Sequence, residues 1–126
     1  MNSAESRHVE LPASPAAPRL GRQFVGQALH DWRLDDLAET VTLLTSEIVT
    51  NAVIHAGSAS KLRVERVDGG VRVTVADGGE HGVAEPSARR VDSAGGHGLA
   101  LVDTLADQWG SRRLDGRHEV WFELRA

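Results

Sequence analysis

The sequence predicts a single α/β domain in which helices lie across a sheet. Three observations support this. First, a helical period runs from about Asp35 to Ala56 and ends at Gly57. At about 1.5 Å per residue this helix is ~30 Å long, enough to cross a small sheet. Second, two alternating runs, Lys61 to Val67 and Val71 to Val75, flank the turn signal Asp68-Gly69-Gly70 and read as a hairpin with one apolar face. Third, a helical pattern over Leu99 to Trp109, ended by Gly110, precedes two further strands, Ser111 to Leu114 and Glu119 to Leu124, around a turn near Asp115-Gly116.

The bulk composition narrows the function classes. With 126 residues the chain is one domain. A chain this long buries roughly two thirds of its unfolded surface without needing disulfides or metals as staples. It has no cysteine, so disulfides and thiolate metal sites are excluded and a cytoplasmic setting is expected. The net charge is −4 and the basic residues form no run, which argues against direct nucleic-acid binding as the main role. No stretch approaches the ~18 apolar residues of a membrane span. Residues Met1 to Arg7 lack the apolar run of a signal peptide. The aromatics are Phe24, Trp32, Trp109, Trp121 and Phe122, so the core must be mainly Val, Leu, Ile and Ala.

Taken in order, Met1 to Ser6 is polar and expected to be disordered, and the domain runs from Arg7 to Ala126. His8 to Leu11 has a weak period of two and suits a short edge strand. After Pro12 and Pro15, a helix lies between Ala16 and Trp32, with Leu20, Phe24 or Val25, Ala28, Leu29 and Trp32 as its inner stripe. Asp35 and Asp36 place acidic residues at the start of the next helix. Its inner positions are Leu37, Val41, Leu44, Ile48 and Ala52. Glu80 to Gly98 is irregular, glycine-rich and of mixed charge. So long a segment inside a compact domain is functional or mobile.

Three stretches carry chemistry. Glu47, Asn51 and His55 are spaced four and four, which puts all three on one stripe of an otherwise apolar helix. Buried polar groups without partners cost about 1–3 kcal/mol each. The stripe is therefore either satisfied by neighbouring side chains or built for an ion and a ligand. Asp77-Gly78-Gly79 ends a strand. It is a turn, or a carboxylate that accepts from an exocyclic amine beside glycines that let a flat ring approach. Gly95-Gly96-His97-Gly98 opens a helix, where free N–H groups and the helix dipole favour an anion. It is not the loop of P-loop NTPases, because no Gly-Lys-Ser/Thr follows.

Together and in this order, the three stretches resemble the GHKL ATPase superfamily of gyrase, heat-shock chaperone, histidine-kinase and mismatch-repair ATPases. Glu47-x-x-x-Asn51-Ala52-x-x-His55 resembles the N box, Asp77-x-Gly79 the first glycine motif, and Gly96-His97-Gly98-Leu99 the second. The short length and the tail, Leu99 to Asp103, Trp109-Gly110 and Val120 to Leu124, are similar to the anti-sigma factor serine/threonine kinases and their actinobacterial relatives. The resemblance covers roughly Arg7 to Leu124. It implies a two-layer α/β sandwich, a mixed sheet covered on one face by three helices, with ATP held under a lid over Glu80 to Gly95.

Carried over by position, Asn51 would coordinate magnesium on the phosphates, and Asp77 would bind the adenine amine directly and through water. Gly79 would make room for the base. Gly95, Gly96, His97, Gly98 and Leu99 would hold the phosphates. Glu47 would be the general base or orienting carboxylate for a serine or threonine hydroxyl. Phosphoryl transfer has a loose transition state, so positioning can matter more than basicity. His55 receives no role beyond packing or orienting the lid side. The resemblance also implies two partners, a STAS-type anti-anti-sigma protein as substrate and an RNA polymerase sigma factor to be sequestered, and relatives are often dimers. A regulatory ATP-binding module without kinase activity is the alternative. Two positions depart from relatives. His97 stands where Arg is more usual, and Glu119 stands where Thr is usual, which sets a second negative charge near Asp77.

Overall fold

The computed structural model describes residues 5–77, 97–114 and 117–126, with side chains at all of these except 55, 56, 97–99 and 114. The elements in chain order are β1 (Ser6–Leu11), α1 (Ala17–Asp31), α2 (Asp35–Ala56), β2 (Ser60–Val67), β3 (Gly70–Asp77), α3 (His97–Leu105), β4 (Gln108–Leu114) and β5 (Arg117–Arg125). The strands form one sheet in the order β1-β2-β3-β5-β4. Every described ladder is antiparallel, so the expected mixed sheet is corrected to an antiparallel one. β3 and β5 are separated by a helix and an edge strand, yet they pair antiparallel because β5 returns as the second arm of the β4–β5 hairpin.

Alternation along each strand divides the sheet into two faces. Leu62 and Val64 of β2, Val71, Val73 and Val75 of β3, and Phe122 and Leu124 of β5 are buried toward the helices. They meet Val25, Ala28 and Leu29 of α1, Leu37, Val41, Leu44, Ile48 and Val49 of α2, and Val102 of α3 in one core. The opposite face carries a polar ladder. Arg72 donates to Glu123 at 2.9 Å and 2.7 Å, and its guanidinium lies 4.6 Å from the Trp121 ring centroid. Arg125 adds a second contact to Glu123 at 3.4 Å. Gly110 of β4 accommodates the Trp121 indole, since a Cβ there would lie 3.0 Å from the ring.

α2 has the expected bounds, with Gly57 in the left-handed conformation at φ 64° closing it. By length and composition alone, Asp35–Ile54 could cross a membrane, which corrects the expectation that no stretch approaches a span. Here it is a core helix packed against α1, β3 and α3. In α1 the inner stripe is Ala17, Gly21, Val25, Ala28 and Leu29, while Leu20 is 38% exposed, so the expected stripe is rotated at its start. Gly21 takes an inner position, where a Cβ would make ordinary contacts with Val49 at 3.4 Å and Leu62 at 3.5 Å. β1 is an edge strand as expected, and it begins at Ser6, one residue ahead of the expected domain start.

The largest departure lies at the end of α3. The helix stops at Leu105, and Trp109 and Gly110 belong to β4 rather than to a helix. The Trp109 indole N–H donates to Asp103 at 2.8 Å, and the Asp107 N–H donates to the Glu123 carbonyl at 2.9 Å. These bonds turn the chain back onto β5 four residues earlier than the apolar period suggests.

Gly70 pairs with Arg125 at the far end of β3. A Cβ there would overlap the Leu124 carbonyl oxygen and approach the Arg125 Cα to 2.7 Å. Gly70→Ala is therefore expected to destabilise the domain by about 1–3 kcal/mol, the usual cost of forcing atoms into a packed site. Urea unfolding checks this, and an unchanged midpoint would show that β5 can shift freely at this point.

Candidate functional site

The candidate residues come from α2, from the end of β3 and from the start of α3. One flank of α2 is taken by α1. Arg22 donates to the Ser46 hydroxyl at 3.1 Å, Gly26 lies against Thr42, and Gly21 against Val49. At about 100° per residue, Asn51 is roughly half a turn round the helix from Thr42, and Glu47 is nearly as far from Val49. The two residues therefore lie on the flank away from α1. α3 is the other helix packed on α2, so this flank borders the α2–α3 side of the helical layer.

Glu47 and Asn51 are half-buried, and neither makes a hydrogen bond or ion pair with a described residue. Both groups are thus only partly shielded, and water or a ligand can reach them. His55 continues the spacing within α2, but its side chain lies outside the described residues. Farther along, Ile54 is 63% exposed, so the apolar character of α2 opens to the surface at this end.

Asp77 is brought to the same end of the molecule by a short connection. Gly57 closes α2, and Ser60, three residues later, pairs with Asp77 across β2 and β3. Asp77 follows Val73 and Val75 in the inward alternation, so its carboxylate stands on the helix-covered face, with its side chain 11% exposed. One oxygen, Oδ1, accepts the His118 backbone N–H at 3.3 Å, and Oδ2 lies 4.0 Å from His118 Nδ1.

This geometry corrects the expectation for Glu119. Glu119 pairs with Ala76, not with Asp77, and points to the opposite face of the sheet, where it accepts from Arg112 Nε at 3.2 Å. The second negative charge is therefore not beside Asp77. The β5 side chain on Asp77's face is His118, which follows from alternation once β5 is paired with β3. Extending the registers gives one transverse row on the inner face: Ser60 of β2, Asp77 of β3, His118 of β5 and Arg113 of β4. The adjacent row is Leu62, Val75, Val120 and Ser111, which is apolar across its first three strands.

The helix N-terminus expected at the second glycine motif is present, since α3 begins at His97 and includes Gly98 and Leu99. The side chains of His97 and Leu99 lie outside the described residues, as do Gly79, Gly95, Gly96, the expected lid over Glu80 to Gly95 and the expected turn at Asp115-Gly116. Sequence reasoning missed Ser60 and His118. Ser60 was within reach, because it continues the alternation of Leu62 and Val64 by one step. His118 was not, because its face depends on a pairing between distant strands.

Asp77→Ala removes the acceptor of the His118 N–H, and stranding a shielded donor costs about 1–3 kcal/mol. Chemical denaturation should show a loss of that order even with no nucleotide present. An unchanged unfolding midpoint would remove Asp77 from the anchoring of β5.

A search among curated proteins found no match to the chain. The histidine kinase-like ATPase domain matches residues 11–124, from the end of β1 to the end of β5, which is nearly the whole described fold. The chain belongs to the histidine kinase-like ATPase domain family, whose fold binds ATP.

Proposed function

We propose that this domain is an ATP- and magnesium-dependent protein serine/threonine kinase. Its proposed substrate is a STAS-type anti-anti-sigma protein, and it holds an RNA polymerase sigma factor out of action in the cytoplasm. The family supplies ATP binding and kinase-like character. The finer reading rests on one observation, that Glu47 and Asn51 stand one helical turn apart on the α2 flank facing α3, both without protein partners among the described residues.

The chemistry follows from this placement. In the transfer, the substrate hydroxyl oxygen bonds to the γ-phosphorus of ATP, the bond to the β-phosphate oxygen breaks, and ADP leaves. The hydroxyl proton passes to the Glu47 carboxylate. Asp77 accepts from the exocyclic amine of adenine, and backbone N–H groups at the start of α3 face the phosphates.

The described residues also fit a magnesium site of the usual kind. No three of their His, Cys, Asp or Glu side chains form a cage that would hold a metal alone. Magnesium keeps several waters and takes only one or two protein oxygens beside substrate phosphates, and the unpartnered Asn51 carboxamide supplies one such oxygen. When bound, the ion would neutralise charge on the phosphates.

ATP with magnesium at ~100 times its dissociation constant is expected to stabilise the domain by about 2.7 kcal/mol, read as a thermal shift. Asn51→Ala should lose the magnesium-dependent part of that shift, and retention of the full shift would take Asn51 out of the metal role.

The kinase reading is tested by incubating the protein with γ-labelled ATP and candidate STAS proteins from the same organism, with sigma-factor binding scored in parallel. Glu47→Ala should still bind nucleotide and should no longer transfer label. Transfer that survives would overturn the assignment of Glu47. Nucleotide binding with no transfer to any STAS protein would instead favour the regulatory-module reading.

A further inference from the structure

Ser60 is 3% exposed, and its hydroxyl has no hydrogen-bond partner among the described residues. An unmade hydrogen bond of this kind is costly, and such groups in native folds usually mark an absent water or ligand. The surroundings narrow the choice. Ser60 faces the helices, in alternation with Leu62 and Val64. On one side its register partner is Leu11, which is buried, and Gly21 of α1 packs nearby, where a Cβ would lie 3.5 Å from Leu62 and 3.6 Å from Leu11. On the other side its register partner is Asp77. Directly opposed residues on one face have Cβ atoms about 4.5–5.5 Å apart. The hydroxyl thus has apolar neighbours on the β1 side and one carboxylate on the β3 side, with which it makes no bond. The carboxylate's Oδ1 is meanwhile taken by the His118 N–H.

We propose that Ser60 is a specificity-determining residue for the base, donating its hydroxyl hydrogen to N1 of adenine directly or through one ordered water. This deepens the proposed ATP site and rests on the reading of Asp77 as the base-binding carboxylate. The Watson–Crick edge of adenine offers a donor, the N6 amine, next to an acceptor, N1. The β2–β3 pair offers the complement, a carboxylate acceptor on Asp77 next to a hydroxyl donor on Ser60. Neighbouring strands lie about 4.8 Å apart, so the two groups are spaced for adjacent ring positions once a water fills any remainder. His118 contributes by donating its backbone N–H to Oδ1 of Asp77, which holds the carboxylate opposite Ser60.

The experiment is a two-by-two comparison of dissociation constants by calorimetry on the full chain. It uses wild type and Ser60→Ala, each with ATP and with 1-deaza-ATP, which carries C–H in place of N1. Wild type is expected to bind 1-deaza-ATP about ten-fold more weakly than ATP, the scale of one hydrogen bond. Ser60→Ala is expected to bind ATP about ten-fold more weakly than wild type and to show no further loss with 1-deaza-ATP.

Two results would overturn the inference while leaving the ATP site standing: equal ATP affinity in the two proteins, or an undiminished preference for ATP over 1-deaza-ATP in the variant. A wild type that binds no adenine nucleotide would instead sink the ATP site itself, and this inference with it. The nucleotide-free variant is expected to melt no lower than wild type, since the hydroxyl it loses makes no bond. A Ser60→Ala protein that fails to unfold cooperatively would show that the hydroxyl is partnered after all, and would count against the proposal.

Discussion

The placement of β3 between β2 and β5 is the constraint on which the rest of the structure depends. In an antiparallel sheet a slip of one residue sends every side chain to the other face. Two features hold β3 in place. Its hydrophobic side, Val71, Val73 and Val75, matches Leu62 and Val64 on one neighbour and Phe122 and Leu124 on the other. At its start, Gly70 lies so close to the Leu124 carbonyl that no side chain would fit. With that end fixed, Asp77 at the other end has a determined face and a determined partner on each side.

α2 divides its surface between two tasks. Toward α1 it packs against Gly21 and Gly26, and Arg22 reaches Ser46 through one hydrogen bond. Toward the sheet it is apolar, through Val41, Leu44, Ile48 and Val49. Only the remaining flank carries Glu47 and Asn51, and nothing in the described fold uses them structurally.

The residues show what the sequence makes legible. α2 could be read to its last residue because its period is long and Gly57 supplies an unmistakable stop. The β2–β3 hairpin followed from strict alternation around Asp68-Gly69-Gly70, and Gly69 does adopt a positive φ of 80°. Glu47, Asn51 and Asp77 stand out in the sequence because each signal is local, a helical spacing or a strand end. Trp109 and Gly110 were misread because the apolar period of α3 continues past its true end, and the bonds that end it go to β5 and back to Asp103. The expectation that Glu119 lies near Asp77 fails for a related reason. Which of two adjacent residues faces inward depends on a register between strands some forty positions apart, and no local pattern contains it.

The indoles lie in three separate chemical surroundings, and the chain contains no tyrosine. Trp32 sits beneath the Arg7 guanidinium at the end of α1, Trp121 beneath that of Arg72 on the uncovered face of the sheet, and Trp109 donates to Asp103 of α3. The ultraviolet emission of the molecule therefore arises at three addresses: the helix-to-edge junction, the open sheet face, and the helix whose first turn opens the second glycine motif. Single-tryptophan variants would make each of them a separate optical channel, and Trp109 would report on the end of α3 where the chain turns back onto β5.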